Sequence, residues 1–123
     1  MKSLSILVVE DDALLAMVLE ELLVGMGHEV CATANTEIAA IDAAGKYKPD
    51  LMIVDAGLLQ GSGTGAVDQV SRSGRVPHVF VSGNTGRIKA TRPDALVLQK
   101  PFRLADLAAT IEIACSSECE SAN

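Results

Sequence analysis

Asp50-Leu51-Met52-Ile53-Val54-Asp55 runs four apolar residues into a carboxylate, and Ala56-Gly57 follow at once. An apolar run this short, introduced by Pro49 and bounded by acids, predicts a β-strand buried on both faces. Such a strand belongs to the middle of a parallel sheet covered by helices. Asp55 then stands where the strand leaves the sheet, at the carboxyl edge where open α/β folds collect their reactive groups. Asp55 is the candidate nucleophile, and the remaining segments are read for what they bring to it.

Upstream, Leu4 to Val9 repeats the pattern and runs into Glu10-Asp11-Asp12. Ala13 to Val24 has helical periodicity, with positions 14, 15, 18, 19 and 22 expected on its inner face and Gly25 and Gly27 ending it. Asp12 is suited to cap this helix rather than to hold a ligand. His28 to Ala34 is less apolar and predicts a strand near the sheet edge. Thr36 can cap a helix from Glu37 to Ala44, closed by Gly45.

Downstream, a glycine-rich loop is expected from Gly57 to Gly65, leading to a helix from about Ala66 to Ser73. It lacks the Lys-Ser/Thr ending of a nucleotide-cradling P-loop. Val76 to Ser82 is a fourth strand, with its proline near the start, where one is tolerated. His78 lies inside that strand and is expected to pack rather than to carry phosphate. Gly83 to Gly86 reads as a flexible turn, and Arg87 to Arg92 as a weak helix. Ala95 to Leu98 is a fifth strand with Lys100-Pro101 just beyond it. Leu104 to Cys115 is an amphipathic helix with Leu104, Leu107, Ala108, Ile111 and Ala114/Cys115 inward. Five strand–helix alternations predict a parallel sheet with helices on both faces. Residues 1–115 form the expected domain, and 116–123 a short polar tail that frays.

Composition excludes several classes. Aromatics make up 2% of the chain and the net charge is −6, with no cluster of Lys or Arg. Neither nucleobase stacking nor phosphate-backbone binding is served by such a surface, so no nucleic-acid partner is expected. No segment suits membrane insertion. Cys31, Cys115 and Cys119 are odd in number and lack metal-ligand spacing with His28 or His78, which predicts a reduced, cytoplasmic protein.

In a parallel sheet the carboxyl ends of the strands share one rim. Glu10 and Asp11, Asp55, Ser82 and Lys100 would all meet there. Carboxylates roughly 4–6 Å apart repel by about 3–4 kcal/mol per pair at an effective dielectric near 20. Glu10, Asp11 and Asp55 therefore call for a cation, and Mg²⁺, a hard ion that takes oxygen ligands, is the natural one.

Ile6-Leu-Val-Val-Glu-Asp-Asp12, Pro49 to Asp55, Val79-Phe-Val-Ser-Gly83 and Lys100-Pro-Phe102, in this order and at these separations, resemble the receiver domain of two-component response regulators. The resemblance covers Ile6 to about Ile113. It implies a flavodoxin-like (βα)5 fold with strand order 2-1-3-4-5, and phosphoryl transfer from a phosphohistidine to Asp55. It further implies Mg²⁺ or Mn²⁺ held by Asp11, Asp55 and the Gly57 carbonyl, with Glu10 acting mainly through a bound water. Ser82 and Lys100 would contact the phosphoryl group, and the Lys100–Pro101 bond would be cis. The implied partners are a sensor histidine kinase or phosphotransfer protein and a downstream protein, with the chain a monomer or weak dimer.

Two departures bear on how such a domain would signal. Val97 stands where many receivers carry an aromatic switch residue. Pro77-His-Val-Phe-Val-Ser-Gly83 partly resembles the Pro-Phe-x-Phe-Ala-Thr-Gly motif of an atypical, often stand-alone subgroup that also lacks that aromatic. The reading expected from these residues is a single-domain phosphoacceptor whose phosphorylation orders the stretch from Gly83 through the weak helix after it. Alternatives are a phosphorylation-independent interaction domain or an Asp-nucleophile phosphatase, although Gly57 occupies the place of the second acid such phosphatases need. A flavin module would need an aromatic clamp that is not visible.

Overall fold

A computed structural model describes residues 3–122, with side chains described through Ser116. The elements in order are β1 (Ser5–Val9), α1 (Ala13–Gly25), β2 (Glu29–Ala34), α2 (Glu37–Tyr47), β3 (Leu51–Asp55), α3 (Gly63–Ser71), β4 (His78–Ser82), α4 (Thr85–Thr91), β5 (Val97–Gln99) and α5 (Leu104–Ala122). The strands form one parallel sheet in the order β2-β1-β3-β4-β5, as expected.

Alternation along each strand divides the core in two. Ile6, Val8, Leu51, Ile53, Val79, Val81 and Leu98 face Leu19 and Leu23 of α1 and Leu107, Ile111 and Ala114 of α5. Leu7, Val9, Met52, Val54 and Phe80 face Ala40 and Ala44 of α2 and Ala66, Val67 and Val70 of α3. β3 is central, and all five of its residues are buried. The same covering that makes Leu51 to Val54 an apolar run also takes Asp55 out of water.

The helices correct several expectations. On α1 the buried residues are Ala16, Leu19 and Leu23, flanked by Leu15 and Leu22, whereas Leu14 and Val18 are exposed. Only Glu20, Glu21 and Gly25 interrupt the apolar residues of this helix, so periodicity defined its inner face poorly. α2 continues through Gly45 to Tyr47 and turns at Lys48, which takes a left-handed conformation (φ 47°) and donates its N–H to the Ala44 carbonyl at 3.0 Å. α3 begins at Gly63 rather than Ala66, with the Ser62 hydroxyl accepting from Gly65 N–H at 2.9 Å.

α4 covers the stretch expected to be a weak helix and begins two residues before it, at Thr85, inside the expected turn. The Asn84 side chain caps it by accepting from Arg87 N–H at 3.1 Å. None of its residues is buried. Its C-terminal end is held instead by Arg92, whose guanidinium makes paired bonds of 2.9 and 2.7 Å to Asp68 of α3. Leu104, expected inward on α5, is half exposed, and Leu107 begins the buried row. α5 runs on through the segment read as a polar tail. The fraying expected there falls on residues whose side chains, with all of Asn123, lie outside the described residues, as does the Cys119 thiol. Among the described residues no helix is long and apolar enough to cross a membrane.

Asp12 is the N-cap of α1. Its Oδ1 accepts from Leu14 N–H at 3.0 Å and Leu15 N–H at 3.2 Å. Asp12→Ala orphans both amides and is expected to lower stability by about 1 kcal/mol, a downward shift of a few degrees in Tm by calorimetry.

Candidate functional site

The three acids converge at the carboxyl rim. Glu10 follows β1, Asp11 opens the turn into α1, and Asp55 ends β3 beside β1. One oxygen from each lies within 4.8 Å of the others. Glu10 is 3% exposed and Asp55 8%. Lys100 reaches in from beyond β5, its Nζ 3.2 Å from Glu10 Oε1 and 3.3 Å from Asp55 Oδ2. The Lys100–Pro101 bond is cis, as the sequence led us to expect. A cleft of about 440 Å³ on the α1 side is lined by Glu10, Asp11, Met17, Glu20 and Thr33.

Backbone amides orient the carboxylates. Gly57 N–H donates to Asp55 Oδ1 at 3.0 Å and Leu59 N–H donates to Asp11 Oδ2 at 2.7 Å. Asp12 N–H donates to Glu10 Oε2 at 3.2 Å. The remaining candidate, Ser82, ends β4 on the same rim, but its hydroxyl accepts from Asn84 N–H at 3.0 Å. His78 begins β4, at the far end of the strand. Its Nδ1 lies 3.1 Å from the Val76 carbonyl and its ring packs edge-on against Phe80, so it is a packing residue as expected.

Three carboxylates with one lysine leave the site short of positive charge. Burial, then a hydrogen bond with Asp55, pushes the Glu10 carboxyl up from 4.5 to about 7. For Lys100, burial disfavours the ammonium, but the attraction of Asp55 and Glu10 outweighs it and holds the group above its ordinary value. A proton retained by Glu10 near neutrality marks a place where a cation would be welcome. The all-oxygen donor set suits a hard divalent ion.

The consequence for stability has a definite sign. A carboxyl raised in the fold binds more protons native than unfolded between pH 4.5 and 7, so its contribution to stability falls as pH rises through that window. Without divalent cations, stability is expected to drop by a few kcal/mol over that range, at about 1.4 kcal/mol for each pH unit crossed. Saturating Mg²⁺ should cancel most of the drop, and in Glu10→Gln it should be absent. Thermal melts across pH, with and without Mg²⁺, check all three.

A family model for the response regulator receiver domain matches residues 6–112. The chain belongs to that family. This receiver is 37% identical over 110 residues to the phyllosphere-induced regulator PhyR of Methylorubrum extorquens, covering 86% of this chain and 41% of PhyR. Among solved structures, the PhyR receiver domain of Erythrobacter litoralis matches with a TM-score of 0.84 at 32% identity, covering 93% of this chain and 91% of that one. The anti-anti-sigma factor PhyR of Bartonella quintana matches with a TM-score of 0.90 at 26% identity, covering 99% of this chain and 51% of that one. The receiver therefore spans about half or less of those longer regulators.

Within the receiver fold, Val97 pairs with Phe80 across β5 and β4 and packs, half-buried, against the core cluster that contains Phe80. The position carries no ring that could rotate. Two features of the rim were not read from the sequence: the Leu59 amide on Asp11, and Glu37, read only as the start of α2. Backbone amides leave no mark in residue types, and an acid in the first turn of a helix is commonplace.

Proposed function

We propose that this receiver accepts a phosphoryl group on Asp55 from a phosphohistidine of a sensor kinase or phosphotransfer protein and passes the signal on by binding another protein. The observation that carries the reading is Lys100 Nζ lying between Glu10 and Asp55 while an Asp11 oxygen sits within 4.8 Å of both acids. Asp11, Asp55 and the Gly57 carbonyl would hold Mg²⁺ or Mn²⁺, with Glu10 through a water. Such an ion supplies charge neutralisation for the incoming phosphoryl oxygens.

The chain's own groups do the rest. Gly57 N–H is bonded to Asp55 Oδ1, which leaves Oδ2, 3.3 Å from Lys100 Nζ, as the oxygen to attack phosphorus. As the Asp55 O–P bond forms, the phosphohistidine N–P bond breaks, and its electron pair returns to the imidazole, which takes up a proton. Lys100 moves from two carboxylates to the phosphoryl oxygens without leaving the pocket. The Ser82 hydroxyl can exchange its Asn84 partner for a phosphoryl oxygen. Catalysis is then positioning and charge stabilisation, with Asp55 as nucleophile.

A protein rather than DNA is the proposed output partner, given the net charge of −6, and the anti-anti-sigma name of the Bartonella relative is consistent with that class. Incubation with acetyl phosphate and Mg²⁺ followed by intact-mass measurement tests the chemistry. One added phosphoryl group, lost when EDTA replaces Mg²⁺, is expected; no gain with Mg²⁺ present overturns the proposal.

A further inference from the structure

We infer that Glu37 is a positioning residue for the cation site, acting through the β3–α3 loop; the inference rests on the reading of that site given above. Glu37 begins α2, and it holds the loop from two sides. Its backbone N–H donates to the Gln60 carbonyl at 3.2 Å, and its Oε1 accepts from Ser62 N–H at 2.8 Å.

The glycines of the loop show how closely it wraps this side chain. Gly61 lies between the two anchored residues with φ +81°, and a Cβ there would come within 2.5 Å of Glu37 Cβ. A Cβ on Gly65 would come within 2.8 Å of Glu37 Oε1. The loop is therefore built around the glutamate, with no space for side chains of its own at these points.

The other end of the same loop faces the acids. Gly57 N–H donates to Asp55, Leu59 N–H donates to Asp11, and Gly63 N–H closes the loop by donating to the Ala56 carbonyl at 3.2 Å. Gln60 directly follows Leu59, so the hold of Glu37 on residues 60 and 62 limits where the Leu59 amide can sit. Through Leu59 it fixes the Asp11 carboxylate, and through the rest of the loop it fixes the Gly57 carbonyl. Outer partners of this kind set the orientation of the groups that touch a metal.

An acid in the first turn of α2 also favours the helix dipole, and that role follows charge rather than reach. Two conservative variants separate them. Glu37→Asp keeps the charge but withdraws the carboxylate from Ser62 N–H. Glu37→Gln loses the charge but keeps an acceptor oxygen at the same reach. In calorimetric Mg²⁺ titrations of the full chain, Glu37→Asp is expected to weaken binding about tenfold, with Glu37→Gln staying within about threefold of wild type. Amide exchange at Leu59 and Ser62 should quicken in Glu37→Asp and stay slow in Glu37→Gln.

The reverse ranking would assign the effect to charge and overturn the inference. Wild-type affinity in Glu37→Asp would overturn it too. Wild-type protein that binds no Mg²⁺ would sink the cation-site reading itself, a result distinct from wild-type binding that Glu37→Asp leaves unchanged.

Discussion

Asp55→Asn is expected to take up no phosphoryl group from acetyl phosphate under conditions in which the wild type gains one. The loss should be complete, because no neighbour can take over the chemistry. Glu10 is engaged by Lys100 Nζ and the Asp12 amide. Asp11 is engaged by Leu59 N–H. Asparagine has nearly the shape of aspartate, so the fold should survive the change. It should even melt higher without Mg²⁺, since one of three crowded carboxylates has gone, and each pair costs about 3 kcal/mol at an effective dielectric near 20. Intact-mass measurement reads the first effect and thermal denaturation the second. Phosphoryl uptake by Asp55→Asn at the wild-type level would move the acceptor elsewhere.

Gly63→Ala is expected to be the most destabilising single methyl in the β3–α3 region. A Cβ at position 63 would overlap the Asp55 carbonyl oxygen, with Val54 Cγ1 at 2.7 Å and the Asp55 carbonyl carbon at 2.9 Å. Those are backbone and core atoms of the central strand and cannot swing aside. Overpacking of this kind costs about 3 kcal/mol or more, read as a drop in the urea midpoint. Because Asp55 itself must shift, phosphoryl uptake should fall even where the variant remains folded. Gly57→Ala is the control. It has nothing within 4 Å of the added methyl, so its stability should stay within about 0.5 kcal/mol of wild type. Equal losses in the two variants would mean that close packing on β3 is not what keeps residue 63 a glycine.

These two glycines show where sequence reasoning stopped. Both lie in one glycine-rich stretch, and nothing in residue type separates the glycine pressed on Asp55 from the one facing open space. The same limit explains the misread helices. α3 takes in Gly63 and Gly65 because Ser62 caps it and the sheet lies directly beneath. α4 forms across Gly86 because Asn84 caps it and Arg92 ties its end to Asp68. Both helices were expected, but glycine propensity placed their starts too late, and the caps carried them further back. On α1 the failure was of another kind. Apolar residues lie nearly all round it, and only the position of the sheet selects Ala16 and Leu23 over Leu14 and Val18.

The rim was far more legible. Short apolar runs ending in Glu10-Asp11 and Asp55, a hydroxyl at Ser82, and Lys100-Pro101 past the last strand define a pattern local in the chain. A parallel sheet converts it into one place, since all strands point the same way and residues ending different strands become neighbours. The sequence by itself thus determined the α/β class, the two-faced burial of β3, the family and the acids, lysine and hydroxyl of the rim. What only the tertiary structure decided is how those groups are held: Lys100 between Glu10 and Asp55, the amides of Gly57 and Leu59 on Asp55 and Asp11, and the loop folded over Glu37. These are contacts between backbone groups and side chains distant in the chain. Their strength depends on distances and burial that come into being only when the sheet and its helices pack, and residue types alone do not encode them.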